Sequence, residues 1–200
     1  MILRQFVGIN AVLTYGGAIV KKAIPALNTI APIVLTFETL LGAVLSIYLL
    51  SKLGRKTIIQ GGTFVLAVSM LLITIGFFIL EDAKTTGTTL ILMGLIVFMF
   101  TFGATLGATI WLYTADICEP SYIILATAIT WVFASVVIVF FPILKKELPN
   151  ENPVYLFFFF FIWTTISFVV NQKVMIETKG KTEHQIHDEY TNMKICGKTD

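Results

Sequence analysis

Two amides head the set of side chains that could do chemistry. Gln5 and Asn10 stand five residues apart, so on one continuous helix they project about 140° apart. Each carries donors and acceptors that need partners, either on a neighbouring helix or on a hydroxyl-bearing solute. Trp111 offers an indole face that could stack on the ring of a bound molecule or anchor at a membrane surface. Arg55, Lys56, Asp116 and Glu177 fall at the ends of apolar stretches. Cations there complement helix carbonyls, and Arg55 is expected to pair with Asp116 or Glu177; the alternative is a solvated rim. Glu38 is the one carboxylate deep inside an apolar stretch. It reads either as a proton-coupling acid or as a structural acid partnered by Lys21 or a nearby threonine. His184 and His187, with Glu183 and Asp188, read as ordinary residues of a surface helix, so no metal and no cofactor is expected. No nucleophile, base and oxyanion-donor set converges, and an enzyme is not expected.

The frame for these residues follows from composition. Of 200 residues 56% are apolar and 13% charged, with seventeen Phe, five of them in the run Phe157–Phe161. A soluble domain cannot hide that much apolar surface, whereas a bundle of membrane helices leaves it facing lipid. Crossing the hydrocarbon takes about 20 residues, and six spans are expected: 5–20, 29–50, 58–80, 89–113, 122–144 and 154–170. Backbone groups cannot be left open in lipid, so each span is predicted helical; the alternating polarity of barrel strands is missing. The bundle therefore occupies residues 1–171. Residues 172–200 form a polar tail. In it Thr182 and Gln185 read as a capping box, and Ile186, Tyr190 and Met193 as the apolar stripe of a short surface helix. With six spans both termini share one side. That side carries nine Lys and Arg against five, and the positive-inside rule makes it the inner, cytosol- or matrix-like face. The net charge of +2 is too small to suggest nucleic acid. Cys118 and Cys196 are not expected to pair. The opening residues lack a basic region and a cleavage site, so no cleavable leader is expected.

Four stretches now resemble the sugar-porter branch of the major facilitator superfamily, in its six C-terminal helices. Arg4-Gln5-Phe6-Val7-Gly8-Ile9-Asn10 is similar to the family's Gln-Gln-x-x-Gly-x-Asn at the seventh helix. Gly54-Arg55-Lys56 resembles the Gly-Arg-Arg/Lys between helices eight and nine. Gly107 to Asp116 resembles the Gly-Pro-x-Pro-Trp stretch with its trailing acid in helix ten. Glu177-Thr178-Lys179-Gly180-Lys181-Thr182 resembles the Pro-Glu-Thr-Lys-Gly-x-Thr after helix twelve. The resemblance implies an all-α membrane fold of two inverted three-helix repeats. It implies solute contacts from Gln5, Asn10, Thr39 and Trp111, and an inner-face charge network of Arg55, Lys56, Asp116 and Glu177.

The departures carry expectations of their own. Arg4 replaces the family's first Gln, so a cation points at the pocket or snorkels to the inner surface. Ala108 and Ile110 replace the helix-ten prolines, so that helix is expected to be straighter and stiffer. Gly103 and Thr130 stand where helices ten and eleven carry polar contacts, and Gly103 with Gly107 forms a pattern that admits close helix packing. The family works by rocking two six-helix halves, and Met1 falls at the seventh helix. The chain is therefore expected to serve as an accessory structural subunit of a larger membrane complex, and an organelle such as the mitochondrion, with its inner membrane, suits that role. The alternative is a carrier for a hexose or similar solute, assembled as a dimer or with a separate N-terminal half. Expected partners are the lipid bilayer and other membrane subunits or a second half, with hexose as the solute of the alternative reading.

Overall fold

The computed structural model describes residues 5, 7–13, 16, 30–80, 82–147 and 153–196, and among these every regular element is helical. A helical stretch covers residues 9–13. The labelled elements are α1 (Ala31–Lys52), α2 (Arg55–Ile79), α3 (Lys84–Phe102), a π-helical turn (Gly103–Gly107), α4 (Ala108–Ile117), α5 (Pro120–Glu147), α6 (Val154–Val174) and α7 (Glu183–Cys196). Among the described residues five candidate spans are long and apolar enough to cross a membrane, with Lys84–Ile117 counted as one through the π turn. The first expected span, 5–20, lies partly outside the described residues, and Arg4, Lys21 and Thr29 lie outside them.

The helices outrun the windows that apolar sequence marked. α2 begins at Arg55 rather than at residue 58, the 89–113 window becomes 84–117, and the last helix continues to Val174 rather than 170. Polar residues at a membrane rim still make helical hydrogen bonds, so a hydropathy window ends before the helix does. α1 opens with Pro32 in its first turn, where a missing N–H costs nothing. The tail helix α7 follows a turn in which Gly180 takes φ +75°. Gln185 Oε1 accepts the Thr182 N–H at 3.0 Å, the return arm of a capping box.

α2 is the central post, packed most extensively against α3 and α6. Leu66, Met70, Ile73 and Phe77 of α2 meet Ile91, Leu95, Phe98 and Met99 of α3 and Phe157 and Phe160 of α6, with Val7 and Val12 closing the cluster. Phe77 and Phe157 stack with centroids 5.3 Å apart. Lipid tails are as apolar as these side chains, so close packing rather than water exclusion holds such helices together. The outer helices are far less covered: 17%, 11% and 22% of the most apolar windows of α1, α5 and α6 are buried, with α5 the lowest.

Helix ten of the sequence reading is not one regular α-helix. Between α3 and α4 the chain makes one π-helical turn, Gly103–Gly107. The correction has a local cause. With glycine at both ends, the turn has no side chain there to pack against the preceding helix, and α1 crosses it at backbone contact. A Cβ on Gly103 would overlap the carbonyl of Thr39, and one on Gly42 would overlap that of Phe100. Thr105, inside the turn, packs where a side chain on Gly62 of α2 would sit. Lost prolines are thus no guarantee of a regular helix, because a π turn between two glycines at a tight crossing interrupts it by another route.

Candidate functional site

Gln5 and Asn10 meet. Gly8 adopts φ +92°, a conformation that L side chains rarely take, and a turn at residues 7–8 separates Gln5 from the helical stretch at 9–13. The expected separation of about 140° on one continuous helix is therefore replaced by direct contact: the Asn10 side-chain N–H donates to Gln5 Oε1 at 2.6 Å. Gln5 is 4% exposed and Asn10 half-buried. The pair leaves Gln5 its amide donors and Asn10 its carbonyl, a set suited to vicinal hydroxyls.

The other side chains singled out are spread through the bundle. The Thr39 hydroxyl donates to the Leu35 carbonyl of its own helix at 3.0 Å, beside the α1 crossing of the π turn. Thr130 is buried and donates to the Ala126 carbonyl at 2.6 Å. Trp111 packs with Ile117 against Ile59, Ile110, Tyr113 and Met175, on the helix that ends at Asp116. Glu38 is half-buried on α1, and its Oε2 is enclosed with no hydrogen-bond partner.

The charged residues converge at one end of the bundle. Arg55 Nε lies 3.3 Å from Asp116 Oδ2, an ion pair rather than an aligned hydrogen bond. Asp116 Oδ2 also accepts the Thr178 hydroxyl at 2.8 Å. Glu177 does not take the Arg55 guanidinium. Its Oε1 accepts three backbone N–H groups, from Arg55 at 2.7 Å and from Thr178 and Lys179 at 3.1 Å each. A Cβ on Gly54 would overlap this carboxylate, so the glycine is the floor of its seat. Lys179 Nζ donates to the Ser51 carbonyl at the end of α1, 2.7 Å away, where a cation complements the helix dipole. Lys56 is half-buried beside Arg55. The segment 177–179 thus straps together the ends of α1, α2 and α4. The tail adds a Lys181–Glu189 ion pair. It also adds a hydroxyl–hydroxyl bond of 2.6 Å between Tyr113 and Tyr190. Burial, with Cys118 and Glu189 nearby, pushes the Tyr190 phenol above its ordinary value, against a smaller opposing effect of the Tyr113 bond, so it stays protonated at neutral pH.

Sequence reasoning missed the Gly54 seat, the Thr178 bridge and the tyrosine pair. The apolar stripe on which Tyr190 falls marks a buried face but not a hydroxyl partner. Behind this end lies a cleft of about 440 Å³, walled by Val7, Thr63, Leu106, Tyr113, Thr114, Cys118, Ser167 and Asn171 among others. Its lining is apolar with a few hydroxyls and one amide, the makeup of small-molecule pockets. Among the described residues no group of three or more His, Cys, Asp or Glu could hold a metal ion.

The model of the family described as sugar (and other) transporter matches residues 1–190. The chain belongs to that family. Among sugar transporter relatives, it is 29% identical over 182 residues to hexose transporter 1 of Plasmodium yoelii yoelii, covering 88% of this chain and 35% of that protein. It is 28% identical over 194 residues to the glucose transporter GlcP of Staphylococcus epidermidis, covering 94% and 42%. It is 29% identical over 189 residues to the probable plastidic glucose transporter 3 of Arabidopsis thaliana, covering 92% and 37%. A solved structure of the major facilitator proton:xylose symporter XylE superposes with a TM-score of 0.82 at 22% identity, over 94% of this chain and 41% of that one. The fold is therefore that of part of a major facilitator protein. The chain spans about two fifths of the length of the relatives it matches. As a sugar transporter family member with these apolar helices, it is a multi-pass integral membrane protein.

Proposed function

We propose that the chain forms one lobe of a membrane carrier for a hexose-like solute, and that the Gln5–Asn10 pair contributes to the solute site. The observation that carries this reading is the Gly8 turn, which brings two amides of a sugar transporter family member within 2.6 Å of each other and leaves complementary donors and acceptors unspent. The names of the relatives, hexose and glucose transporters, support the choice of solute class. On this reading the charged end faces the cytosol or matrix, where basic residues accumulate, and its strap holds the lobe in one conformational state. Solute movement then requires a second lobe.

The test is glucose binding to the purified full chain in lipid nanodiscs. Saturable binding is expected, weakened about tenfold or more by Asn10→Ala and by Gln5→Ala, the cost of leaving a sugar hydroxyl or its partner unpaired. Binding indifferent to both substitutions removes the pair from the solute site, and absence of binding removes the carrier reading.

A second reading draws on the sparse burial of α5. A helix this uncovered suits attachment to other membrane subunits, and the chain would then serve as an accessory structural element of a larger complex. Glucose-independent co-purification with fixed membrane partners, together with absence of sugar binding, is the outcome that favours it.

A further inference from the structure

Tyr113 is the buried junction between the bundle and its tail. Its hydroxyl accepts the Ile176 N–H at 3.2 Å and lies 2.6 Å from that of Tyr190. The three residues come from α4, the segment between α6 and α7, and α7. Tyr113 is also a wall of the 440 Å³ cleft, next to Thr114 and Cys118. α7 rests chiefly on α4, with Ile186 buried on the same helix as half-buried Tyr190. The joint carries no charge. It is therefore unlike the neighbouring Arg55–Asp116 pair, whose half-exposed side chains are open to screening by salt.

We propose that Tyr190 is a gate-positioning residue: its bond to Tyr113 clasps α7 to the middle of α4, fixes that wall of the cleft, and parts when the charged end of the lobe opens. The gate role rests on the carrier reading above; the clasp does not. Two features make the bond suited to this work. It lies midway along α4, a ten-residue helix that begins at the π turn, so a bend at the turn moves Tyr113 relative to the tail. A single uncharged hydrogen bond is weak enough to break and re-form in a cycle, whereas the seat of Glu177 with its three N–H donors is not.

A native thiol reports on the clasp. Cys118 is free, half-buried, and lines the same cleft wall. The full chain in nanodiscs is treated with a membrane-impermeant maleimide, and the rate at Cys118 is read by peptide mass, separately from Cys196. Tyr190→Phe keeps the ring and removes the hydroxyl. It is expected to speed Cys118 modification on the order of five- to tenfold, the population shift that one net hydrogen bond supports. Tyr113→Phe should speed it at least as much, since it also orphans the Ile176 N–H, and the double variant should exceed Tyr113→Phe by no more than about twofold, because the Tyr113–Tyr190 bond is already lost in that single variant. An unchanged Cys118 rate in Tyr190→Phe overturns the clasp, as does a double variant in which the two effects multiply. Where Tyr113→Phe does not fold, Tyr190→Phe decides alone. Saturating glucose separates the two readings. A glucose-dependent Cys118 rate in the parent chain, lost in Tyr190→Phe, supports the gate. A rate that responds to Tyr190→Phe but not to glucose keeps the clasp and overturns its role as a sugar gate.

Discussion

At the scale of single residues, the charged end separates two kinds of electrostatic contact. Arg55 and Asp116 form a partly exposed ion pair, and such pairs contribute about 0–1 kcal/mol. Glu177 gathers three backbone N–H groups on one oxygen, over a glycine that leaves room for it. Its removal orphans donors that nothing else in the strap replaces, at about 1–3 kcal/mol. Glu177→Ala is therefore expected to lower the thermal midpoint more than Arg55→Ala does. Added salt should narrow the Arg55 effect and leave the Glu177 effect in place. Melting curves in detergent at low and high ionic strength check this, and equal losses for the two variants would contradict it. Sequence reasoning found the residues of this end and the candidate partners of Arg55, because charges at helix boundaries are easy to see. It could not divide the partners correctly. That division depends on a backbone carboxylate seat, and N–H directions are not legible in residue types. The same limit applies to Gln5 and Asn10: helical periodicity set them on neighbouring faces, and one positive φ at Gly8 joined them.

At the scale of elements, the apolar windows located the helices, and their ends were lost for a simple reason: hydropathy reports the hydrocarbon, while hydrogen bonding reports the helix. The π turn was illegible in a deeper way. Its glycines were recognised as a packing pattern, and packing is what they do, yet the same pair also permits the extra residue per turn. The contact between Gly103 and the Thr39 carbonyl makes the crossing of α1 specific. Gly103→Ala places a methyl group into backbone that cannot rotate aside, so α1 must separate from the turn. A loss of about 1–3 kcal/mol is expected, typical of overpacking. Hydrogen exchange should rise along α1 around Gly42 and across the π turn, while α6 stays protected. A variant as stable as the parent, with unchanged exchange in α1, would show that the crossing tolerates a Cβ.

At the scale of the whole molecule, burial is lopsided. The windows of α2 and of α3 to α4 are each 56% buried, whereas that of α5 is 11% buried. A photoactivatable lipid-phase probe applied to the chain alone in nanodiscs is expected to label α5 more heavily than α2. Added membrane partners or a second lobe should protect it. Labelling of α5 no heavier than that of α2 would mean that something already covers α5. Fold class, helix order and membrane character were all legible, since they follow from composition, span length and four short motifs. What occupies the open faces was not, because an apolar surface looks the same whether it meets lipid or protein.

The Gly54 seat has an evolutionary consequence. The space that the Glu177 carboxylate fills is the absent side chain of Gly54, a residue from a distant part of the polypeptide. A mutation that fills it evicts the acid, and a mutation that deletes the acid leaves a hole lined with amides, so neither position can drift while the other stands still. Chimeras that graft the tail of one relative onto the body of another should therefore succeed or fail as lock and key. The two short motifs constitute one heritable unit, written in two places.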